Sequence, residues 1–483
     1  MTALPRLRRI ARLGRVLGRH LAAAALADLL APWPRLAARL PRPAGKREER
    51  LRRLLEDLGG TFIKLGQMLA LQPDVLSLAA CDALLPLLDR VAPFDLREVE
   101  RIFVEELGRR PAELFDAFAP RPLATASIGQ VHVARVGERL LAVKVQRPSA
   151  GAEFGGDVRL MATALALIRG LRLARLYWLV EPLSEFIAWT FDELDYRQEA
   201  RAMERLRRNA RGNPWEVVPA VDPACLARRI LVTELLRGVT VLDYLRALEA
   251  GDRRMPAELA ARGFEPHGFA RHLIDNFLGD AFRHGLFHAD LHPANLMILP
   301  GNRVGYLDFG ITGALSRYSR RHLVLLTLSY TRGDLAGMSV AFFAISTLKP
   351  GADPDAFCRG LERLSTTWYA AVDGRTRVQK SFTLVMLEML GLSRRTGILP
   401  ERDVVKYIRS AIAIDGLVHR FAPGFEVGLY LAAACDRFLA QQEWRALLSF
   451  ERLLGALAAA VGLAEGTAPW IRQPDRPAAR RPR

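Results

Sequence analysis

Residues 288–295 read His-Ala-Asp-Leu-His-Pro-Ala-Asn, and residues 307–310 read Leu-Asp-Phe-Gly. The first stretch separates Asp290 from Asn295 by five positions. Carboxylate and amide oxygens are ligands that Mg²⁺ prefers, and a carboxylate can also accept a proton. The two stretches therefore predict one site that combines Asp290, Asn295 and Asp308.

The spacing matches the catalytic loop H-R-D-x-x-x-x-N and the D-F-G segment of kinase-type phosphoryl transfer. In that template Asp290 orients the acceptor or takes its proton, whereas Asn295 and Asp308 hold the Mg²⁺ that accompanies ATP. His288 and His292 could also form a metal pair. We reject that reading because imidazole is a poor Mg²⁺ ligand, and we expect them to pack or hydrogen-bond within the loop.

Upstream, residues 124–131 read Ala-Thr-Ala-Ser-Ile-Gly-Gln-Val, the spacing of the phosphate loop G-x-G-x-x-G-x-V with alanine at the first two glycine positions. Lys144 follows in a V-A-x-K-like segment, on the return strand of a hairpin predicted from residues 128–136 and 140–145 around a Gly137-Glu138 turn. An ordinary strand-entry turn and a solvent-exposed lysine are the alternatives. The nucleotide-binding candidates are Ala124, Thr125, Ala126, Ser127, Gly129, Val131, Lys144, Glu199, Glu234 and Leu236.

Lys144 needs a carboxylate partner, and a predicted helical stretch over residues 186–206 offers Glu193, Asp195 and Glu199. A spacing of six does not place Glu193 and Glu199 on one helix face, so we expect them to serve different partners. Solvated helix charges are the alternative. Glu234 and Leu236 lie in and just after a β-prone run at residues 230–235.

Two features of protein kinases are missing. Ala289 stands where the template has arginine, and no A-P-E sequence follows Gly310. A surface for docking a protein substrate is therefore not evident, and ordinary protein-kinase activity is not expected.

Three marks resemble the UbiB family of atypical kinases, which is associated with ubiquinone biosynthesis. They are the alanine-rich loop, a K-x-G-Q motif at Lys64, Gly66 and Gln67, and an E-x-D motif at Glu193 and Asp195. The resemblance covers roughly residues 47 to 330. Without it, the K-x-G-Q residues would be a cation and an amide on a solvated helix face.

The resemblance implies a two-lobed, protein-kinase-like α+β fold with a helical K-x-G-Q extension and a largely helical C-terminal lobe. It implies that the K-x-G-Q helices cover the site where a kinase would receive its peptide, with Lys64 reaching toward Glu193 and Asp195, and with Glu199 as the partner of Lys144. In that family the alanine-rich loop disfavours protein phosphorylation and is associated with ATP hydrolysis stimulated by lipid, so the resemblance implies the same activity here. ATP and Mg²⁺ are the implied cofactors.

We divide the chain accordingly into five segments. They are a basic amphipathic segment and linker (1–46), the helical extension (47–118), a kinase-like N-lobe (119–236), a C-lobe with helical continuation (237–470) and a basic tail (471–483).

The formal net charge of +17 is concentrated at the two ends of the 483-residue chain, which indicates an anionic partner. Lipid surface is favoured over nucleic acid because no nucleic-acid-binding fingerprint is present. Residues 6–21 predict a helix with Leu7, Ile10, Leu17 and Leu21 on one face and Arg8, Arg9, Arg12, Arg15 and Arg19 on the other. Such a helix could lie on an anionic membrane; a helix packed on its own domain and a transit peptide are the alternatives.

The four cysteines form no CxxC pair, so neither a disulfide framework nor a zinc site is predicted. No secretory signal fits, and the apolar run at residues 453–464 is shorter than the ~20 residues that cross a bilayer. We expect a cytoplasmic protein that associates peripherally with the inner membrane. Oligomeric state cannot be read from the sequence.

The leading hypothesis is a Mg-ATP-dependent ATPase or kinase that supports quinone or related isoprenoid-lipid biosynthesis, with proteins of that pathway as partners. The rivals are a small-molecule phosphotransferase, a non-catalytic nucleotide-binding scaffold, and nucleic-acid binding by the basic ends. The K-x-G-Q motif counts against the first rival, and the complete set of polar site residues counts against the second.

Overall fold

A computed structural model describes residues 3–30, 47–70, 76, 78–88, 93–125, 128–148, 150–171, 180–372, 375–378 and 382–439. The chain divides into two compact units. Unit 1 combines Met1–His272 with His288–Thr312, and unit 2 combines Leu273–Phe287 with Gly313–Arg483. The segment boundaries at residues 46, 118, 236 and 470 stay predictions.

Unit 1 begins with a group of helices. They are α1 (Ala3–Leu30), α2 (Arg47–Leu58), α3 (Gly60–Ala70), α4 (Leu78–Leu84), α5 (Leu96–Leu107) and α6 (Pro111–Leu114), with a 3₁₀ turn at Leu85–Leu88. Gly59 separates α2 from α3 at φ 77°, a left-handed conformation that glycine adopts at little cost. Leu55, Ala70, Leu84 and Leu87 form a small core between α2, α3, α4 and the 3₁₀ turn.

A five-stranded sheet follows the helices. Its strands are β1 (Ala117–Phe118), β2 (Ala124–Thr125), β3 (Gly129–Val136), β4 (Arg139–Gln146) and, further along the chain, β6 (Ile230–Glu234). The order is β1-β3-β4-β6, and β2 pairs with β3. Leu141, Val143 and Val145 alternate into a buried core because successive side chains of a strand point to opposite faces. The hairpin predicted around Gly137 and Glu138 is confirmed.

Three helices lie between β4 and β6: α7 (Ala150–Gly170), α8 (Val180–Glu193) and α9 (Tyr196–Asn209), followed by β5 (Glu216–Val217). The helical stretch predicted over residues 186–206 is confirmed, but it consists of two helices. The chain leaves the helix at Leu194 and Asp195, because the Asp195 side chain accepts a hydrogen bond from the Arg197 backbone N–H and so begins a new helix.

The catalytic loop at residues 288–295 and the D-F-G segment at residues 307–310 adjoin the strands of a second sheet. The elements of this part of the chain are β7 (Val239–Thr240), α10 (Val241–Glu249), α11 (Arg254–Ala261), α12 (Pro266–Leu278), a π-helix (Gly279–His284), β8 (Leu286–His288), β9 (Leu296–Leu299) and β10 (Arg303–Tyr306). The sheet order is β5-β10-β9-β7. Asp290 and Asn295 therefore lie between β8 and β9, and Asp308 follows directly after β10.

The remaining elements belong mainly to unit 2. They are β11 (Thr312–Ala314), α13 (Arg317–Arg332), α14 (Leu335–Ala344), β12 (Ser346–Leu348), α15 (Pro354–Ser365), β13 (Tyr369–Val372), β14 (Arg375–Val378), α16 (Phe382–Thr396), β15 (Ile398–Pro400), α17 (Arg402–Phe421) and α18 (Val427–Leu439). Tyr407 stacks on Phe277 in an aromatic core. The helical continuation predicted here also contains two short antiparallel pairs, β12–β15 and β13–β14.

The N-terminal helix packs on its own unit by a face other than the one that carries Ile10 and Leu17. Leu13 is buried, whereas Ile10 and Leu17 are 49% and 44% exposed. Arg9 instead faces inward and pairs with Asp157 on α7. The helix is thus docked by an ion pair as well as by apolar contact.

None of the helices that the structure describes is both long and apolar enough to cross a membrane.

Candidate active site

The ammonium of Lys144 is shared between two carboxylates. In the sheet Lys144 lies opposite Val131 of β3 and Leu231 of β6. Its Nζ is 2.8 Å and 2.9 Å from the two carboxylate oxygens of Glu199, and 2.9 Å from Oδ2 of Asp308. The ring of Tyr196 lies beneath the same ammonium, with its centroid 5.1 Å away. The structure therefore brings together residues from β4, α9 and the segment after β10.

One cation between two carboxylates leaves this group with a net charge of −1 when all three are ionised. Burial alone would lower the pKa of Lys144, but Asp308 and Glu199 outweigh burial and raise that pKa well above its ordinary value. Burial opposes ionisation of Asp308, yet the Lys144 cation and the Gly310 N–H lower the pKa of Asp308 to about 2. Asp308 is therefore a carboxylate at neutral pH, with anionic charge to offer a further cation.

Glu199 has the opposite shift, because its side chain is only 7% exposed. Burial raises the pKa of Glu199 to about 6, against the lowering effect of Lys144 and with help from the neighbouring Asp308 charge. Between the ordinary pKa of 4.5 and about 6, the folded protein binds this proton more readily than the unfolded chain does. The Glu199 contribution to stability therefore falls as the pH rises through that window and is constant above it.

Replacing Glu199 with glutamine removes this titration. We expect the free energy of unfolding of the wild type, relative to Glu199→Gln, to decline by about 2 kcal/mol between about pH 4 and pH 7. Urea unfolding at several pH values measures the difference. Glu258→Gln, a change at an exposed position on α11, should show no such trend, and a flat difference for Glu199→Gln would contradict the prediction.

His288 connects the catalytic loop with the D-F-G segment. Its Nε2 bonds the backbone carbonyl of Asp308, and its Nδ1 accepts the backbone N–H of Asp290 at 3.1 Å. Because a carbonyl can only accept, Nε2 carries the proton and the ring is neutral. Burial lowers the pKa of His288 to about 4, which keeps it neutral at physiological pH. His292 accepts the backbone N–H of Ala294, so the hydrogen-bonding role predicted for both histidines is confirmed.

Asp290 and Asn295 form a second polar pair. The amide nitrogen of Asn295 donates to the backbone carbonyl of Asp290 at 3.1 Å and to its Oδ2 at 2.9 Å. Both amide hydrogens are thereby used, which leaves the amide oxygen of Asn295 as the atom suited to a cation. The Asn295 carbonyl also accepts the Leu307 N–H at 3.0 Å, next to Asp308 in the chain.

The donor set fits Mg²⁺ in the company of a phosphate. Asp308 supplies an ionised carboxylate, and Asn295 supplies an amide oxygen. Within the described part of the chain, no three His, Cys, Asp or Glu side chains gather into a metal cluster. Mg²⁺ commonly takes one or two protein oxygens, with the remainder from waters and substrate phosphates, so this set would hold it together with a nucleotide.

The alanine-rich loop is the turn between β2 and β3. Ala124 pairs with Val131 and Thr125 with Gln130 across this hairpin. Ala126 and Ser127 lie outside the described residues, so their predicted contact with phosphate stays a prediction. A Cβ on Gly129 would lie only 2.7 Å from the Val145 carbonyl oxygen and 2.5 Å from the Tyr196 hydroxyl.

Gly129 should therefore not tolerate a side chain. We expect Gly129→Ala to lower the free energy of unfolding by roughly 1–3 kcal/mol, because the backbone of β4 would have to move. Urea unfolding measures it. Gly156→Ala on α7, where an added Cβ meets nothing within 4 Å, is the matched control and should not destabilise the protein. Equal stability of Gly129→Ala and the wild type would contradict the packing described here.

The K-x-G-Q residues are not on a solvated face. Lys64 is 3% exposed, and the amide of Gln67 donates to the Leu87 carbonyl at 2.6 Å. A side chain at Gly66 would overlap Leu55 and Leu87. The motif thus fixes α3 against the rest of the N-terminal helices.

The two acids of the E-x-D motif have separate positions. Glu193 is the last residue of α8, and its side chain lies outside the described set, so its predicted approach to Lys64 stays a prediction. Asp195 caps α9 and forms an ion pair with Arg197 at 2.7 Å. Of the contacts described for Asp195, none is with Lys64.

The remaining nucleotide candidates follow the sheet edge. Glu234 ends β6 opposite Leu141, and its side chain is exposed. Leu236 is the next residue but one. The residue between them, Leu235, donates its backbone N–H to the Leu140 carbonyl at 3.0 Å.

Sequence reasoning missed two side chains that shape the site. Tyr196 lies under Lys144, and Gln130 is buried with its amide bonded to the backbone N–H and carbonyl of Phe94. Tyr196 stands three residues before Glu199, a helical spacing that places both on one face. That spacing could have identified Tyr196 as a neighbour of Lys144 once Glu199 was taken as the lysine's partner.

A lysine and glutamate pair, a D-F-G carboxylate and an Asp–Asn loop are arranged as the kinase template predicts. Comparisons with known proteins show a kinase-like domain. The ABC1 atypical kinase-like domain matches residues 86–341. The chain belongs to this family, and the predicted resemblance and kinase-like α+β fold class are confirmed.

The relatives of the chain include two proteins named UbiB and an uncharacterized protein. A probable protein kinase UbiB of Aeromonas salmonicida is 32% identical over 412 residues, 82% of this chain and 72% of that protein. A probable protein kinase UbiB of Marinobacter nauticus is 29% identical over 410 residues, 83% and 70% of the two chains. An uncharacterized Mycobacterium tuberculosis protein is 31% identical over 344 residues, 69% and 67%.

Among solved structures, a complex of the Mycobacterium tuberculosis protein Rv3197 with erythromycin aligns with a TM-score of 0.47. Its sequence identity is 22%, and the alignment covers 82% of this chain and 98% of that one.

Proposed function

We propose that the protein binds ATP with Mg²⁺ and hydrolyses it or transfers its terminal phosphoryl group, in support of ubiquinone or related isoprenoid-lipid biosynthesis at a membrane surface. The observation that carries the proposal is the position of Lys144 between Glu199 and Asp308. Kinase-type sites use such a lysine to hold phosphates and such an aspartate to hold the metal.

Each end of the nucleotide has candidate partners in this chain. The backbone of the β2–β3 turn, with Gly129 at its exit, would cover the phosphates, and Lys144 would bind them. The segment from Glu234 to Leu236 would offer backbone groups to the base. Asn295 and Asp308 would hold Mg²⁺, which when bound neutralises charge on the transferring phosphoryl group.

Asp290 is the candidate to orient the attacking group and accept its proton. Its carboxylate is fixed by the Asn295 amide, and its backbone N–H is fixed by His288. A residue whose carboxylate and backbone are both held loses little freedom when substrate binds, which favours a defined angle of attack. The attacking group is either water or a small acceptor.

The K-x-G-Q helices support a lipid or small-molecule role over a protein substrate. Residues 60–70 form a packed helix, with Lys64 buried and Gln67 bonded. In our proposal this helix covers the peptide side of the site, in line with the missing A-P-E segment. The UbiB names of the relatives support the assignment to quinone biosynthesis.

Measuring nucleotide binding and ATP hydrolysis on the full chain tests the proposal. We expect Mg²⁺-dependent ATP binding and slow hydrolysis, and accumulation of an early quinone precursor when the gene is deleted. Binding without hydrolysis under any lipid condition would instead indicate a scaffold. Salt-sensitive nucleic-acid binding that survives Asp290→Ala, without ATP binding, would overturn the proposal.

A further inference from the structure

The α1 helix is held on its unit by charged contacts at two places. Arg9 Nε is 3.0 Å from Asp157 Oδ1, Arg9 Nη2 is 2.6 Å from Asp157 Oδ2, and Nη2 also donates to the Leu58 carbonyl at 3.1 Å. Asp157 is only 3% exposed, so the pair is largely removed from water. About three turns further on, Asp57 accepts hydrogen bonds from Arg19 at 2.5 Å and from His20 at 2.7 Å.

These contacts fix which face of α1 is turned inward. The inward face carries Arg9, Leu13, Val16 and His20. Their spacing of four, three and four residues keeps them on one side of the helix. All four are buried or half-buried in the structure. The helix is therefore oriented by its contacts with α2 and α7.

The opposite side of α1 carries a different chemistry. Ile10 and Leu17, two turns apart, are exposed, and so are Arg12 and Arg15. Between these apolar and cationic flanks lie the exposed small residues Ala11, Gly14, Gly18 and Ala22. Contact of large aliphatic side chains with water is unfavourable, so covering Ile10 and Leu17 with a further surface would be stabilising.

Arg12 and Arg15 lack an acidic partner in the described structure; the one contact of Arg15 is a bond to the Ala11 carbonyl. By contrast, Arg9 and Arg19 each have an acid. The cationic flank is therefore available for an external anion.

We propose that this outward face of α1, with Ile10 and Leu17 on one flank and Arg12 and Arg15 on the other, binds the surface of an anionic bilayer while the helix stays docked through Arg9. Charge complementarity selects the occupant: exposed arginines beside exposed aliphatic side chains match anionic headgroups above acyl chains. Small residues between the flanks allow the helix backbone to approach the headgroups closely. This inference rests on the membrane location in the proposed function and names the surface that would produce it.

Vesicle flotation of the full-length protein tests the inference. We expect binding to vesicles that contain phosphatidylglycerol and much weaker binding to phosphatidylcholine alone. Arg12→Gln with Arg15→Gln should weaken binding to the anionic vesicles roughly 25-fold, since each basic residue near the surface strengthens it about fivefold. Ile10→Ser with Leu17→Ser should weaken it by at least about tenfold.

Matched controls separate this face from general charge and hydrophobicity. Arg205→Gln with Arg207→Gln removes the same charge from exposed positions on α9, and Leu167→Ser alters an exposed leucine on α7. Both should bind anionic vesicles as the wild type does. Unchanged flotation of the two α1 double variants would overturn the inference, as would equal loss in the controls. Because flotation needs no nucleotide, its outcome is independent of whether ATP is hydrolysed.

Discussion

Asp308→Asn should abolish Mg²⁺-dependent ATP hydrolysis, with a loss of at least about a hundredfold, while the protein remains folded. Asparagine keeps the size of the side chain and an oxygen atom but removes its negative charge. In the wild type that charge attracts Lys144 at 2.9 Å, and the carboxylate also accepts the Gly310 N–H at 2.9 Å. The variant therefore changes the electrostatics of the site more than its shape.

The loss follows from the charge that the metal needs. Asp308 is the aspartate of the D-F-G segment, and it contacts Lys144, the residue proposed to bind the phosphates. A neutral amide at this position would bind Mg²⁺ much more weakly, because the attraction between the cation and a carboxylate charge would be lost, and the Asn295 amide oxygen supplies no charge to replace it. The rate of ATP hydrolysis at saturating ATP, measured over a range of Mg²⁺ concentrations, reports the effect.

Asp355→Asn is the matched control for this change. Asp355 lies exposed in the first turn of α15, and the same chemical substitution there should leave hydrolysis unaltered. Thermal unfolding of both variants checks that they are folded. If Asp308→Asn hydrolyses ATP at the wild-type rate, the assignment of the metal ligand is wrong.

Local spacing was enough to predict much of the site. The separation of Asp290 and Asn295 by five positions corresponds to a short loop in which one side chain bonds the other. The alternation of β4 places Lys144 on the face opposite the buried Val143 and Val145. Such patterns are read from neighbouring residues, and they depend little on the rest of the fold.

Long-range contacts explain what the sequence did not predict. The inward face of α1 is set by Asp157, which lies 148 positions from Arg9, so the apolar periodicity of residues 6–21 could not show which face packs on the unit. The break between α8 and α9 depends on the Asp195 cap and on a bond from the Tyr196 N–H to the Arg228 carbonyl. Neither partner is visible in the helical pattern itself.

Lys144→Met should change metal affinity and nucleotide affinity in opposite directions: metal binding without nucleotide should become tighter, and nucleotide binding should become weaker. In the wild type the ammonium already lies on Asp308, so a divalent cation alone must compete with a bound positive charge. ATP phosphates offer Lys144 another anion and so free the carboxylate. We therefore expect wild-type protein to bind Mn²⁺, a spectroscopic substitute for Mg²⁺, at least about tenfold more tightly with a non-hydrolysable ATP analogue than without it.

Methionine at position 144 keeps the unbranched chain and loses the charge. We expect the variant to bind Mn²⁺ more tightly than the wild type when no nucleotide is present, because Asp308 is no longer paired. Its affinity for the ATP analogue should fall by at least about tenfold, and hydrolysis should fall further, since phosphates lose their cation. Electron paramagnetic resonance measures free Mn²⁺, and calorimetry measures the nucleotide.

The stability of this variant also reports on Glu199. Without Lys144, a buried carboxylate loses its partner, so Glu199 should take up a proton and remain neutral near pH 7.

Lys406→Met, which removes a half-exposed lysine beside Asp403, is the control and should change neither the Mn²⁺ affinity nor the nucleotide affinity. If wild-type protein binds Mn²⁺ equally well with and without the nucleotide analogue, Lys144 does not compete with the metal, and the shared position between Glu199 and Asp308 has no consequence for the order of binding.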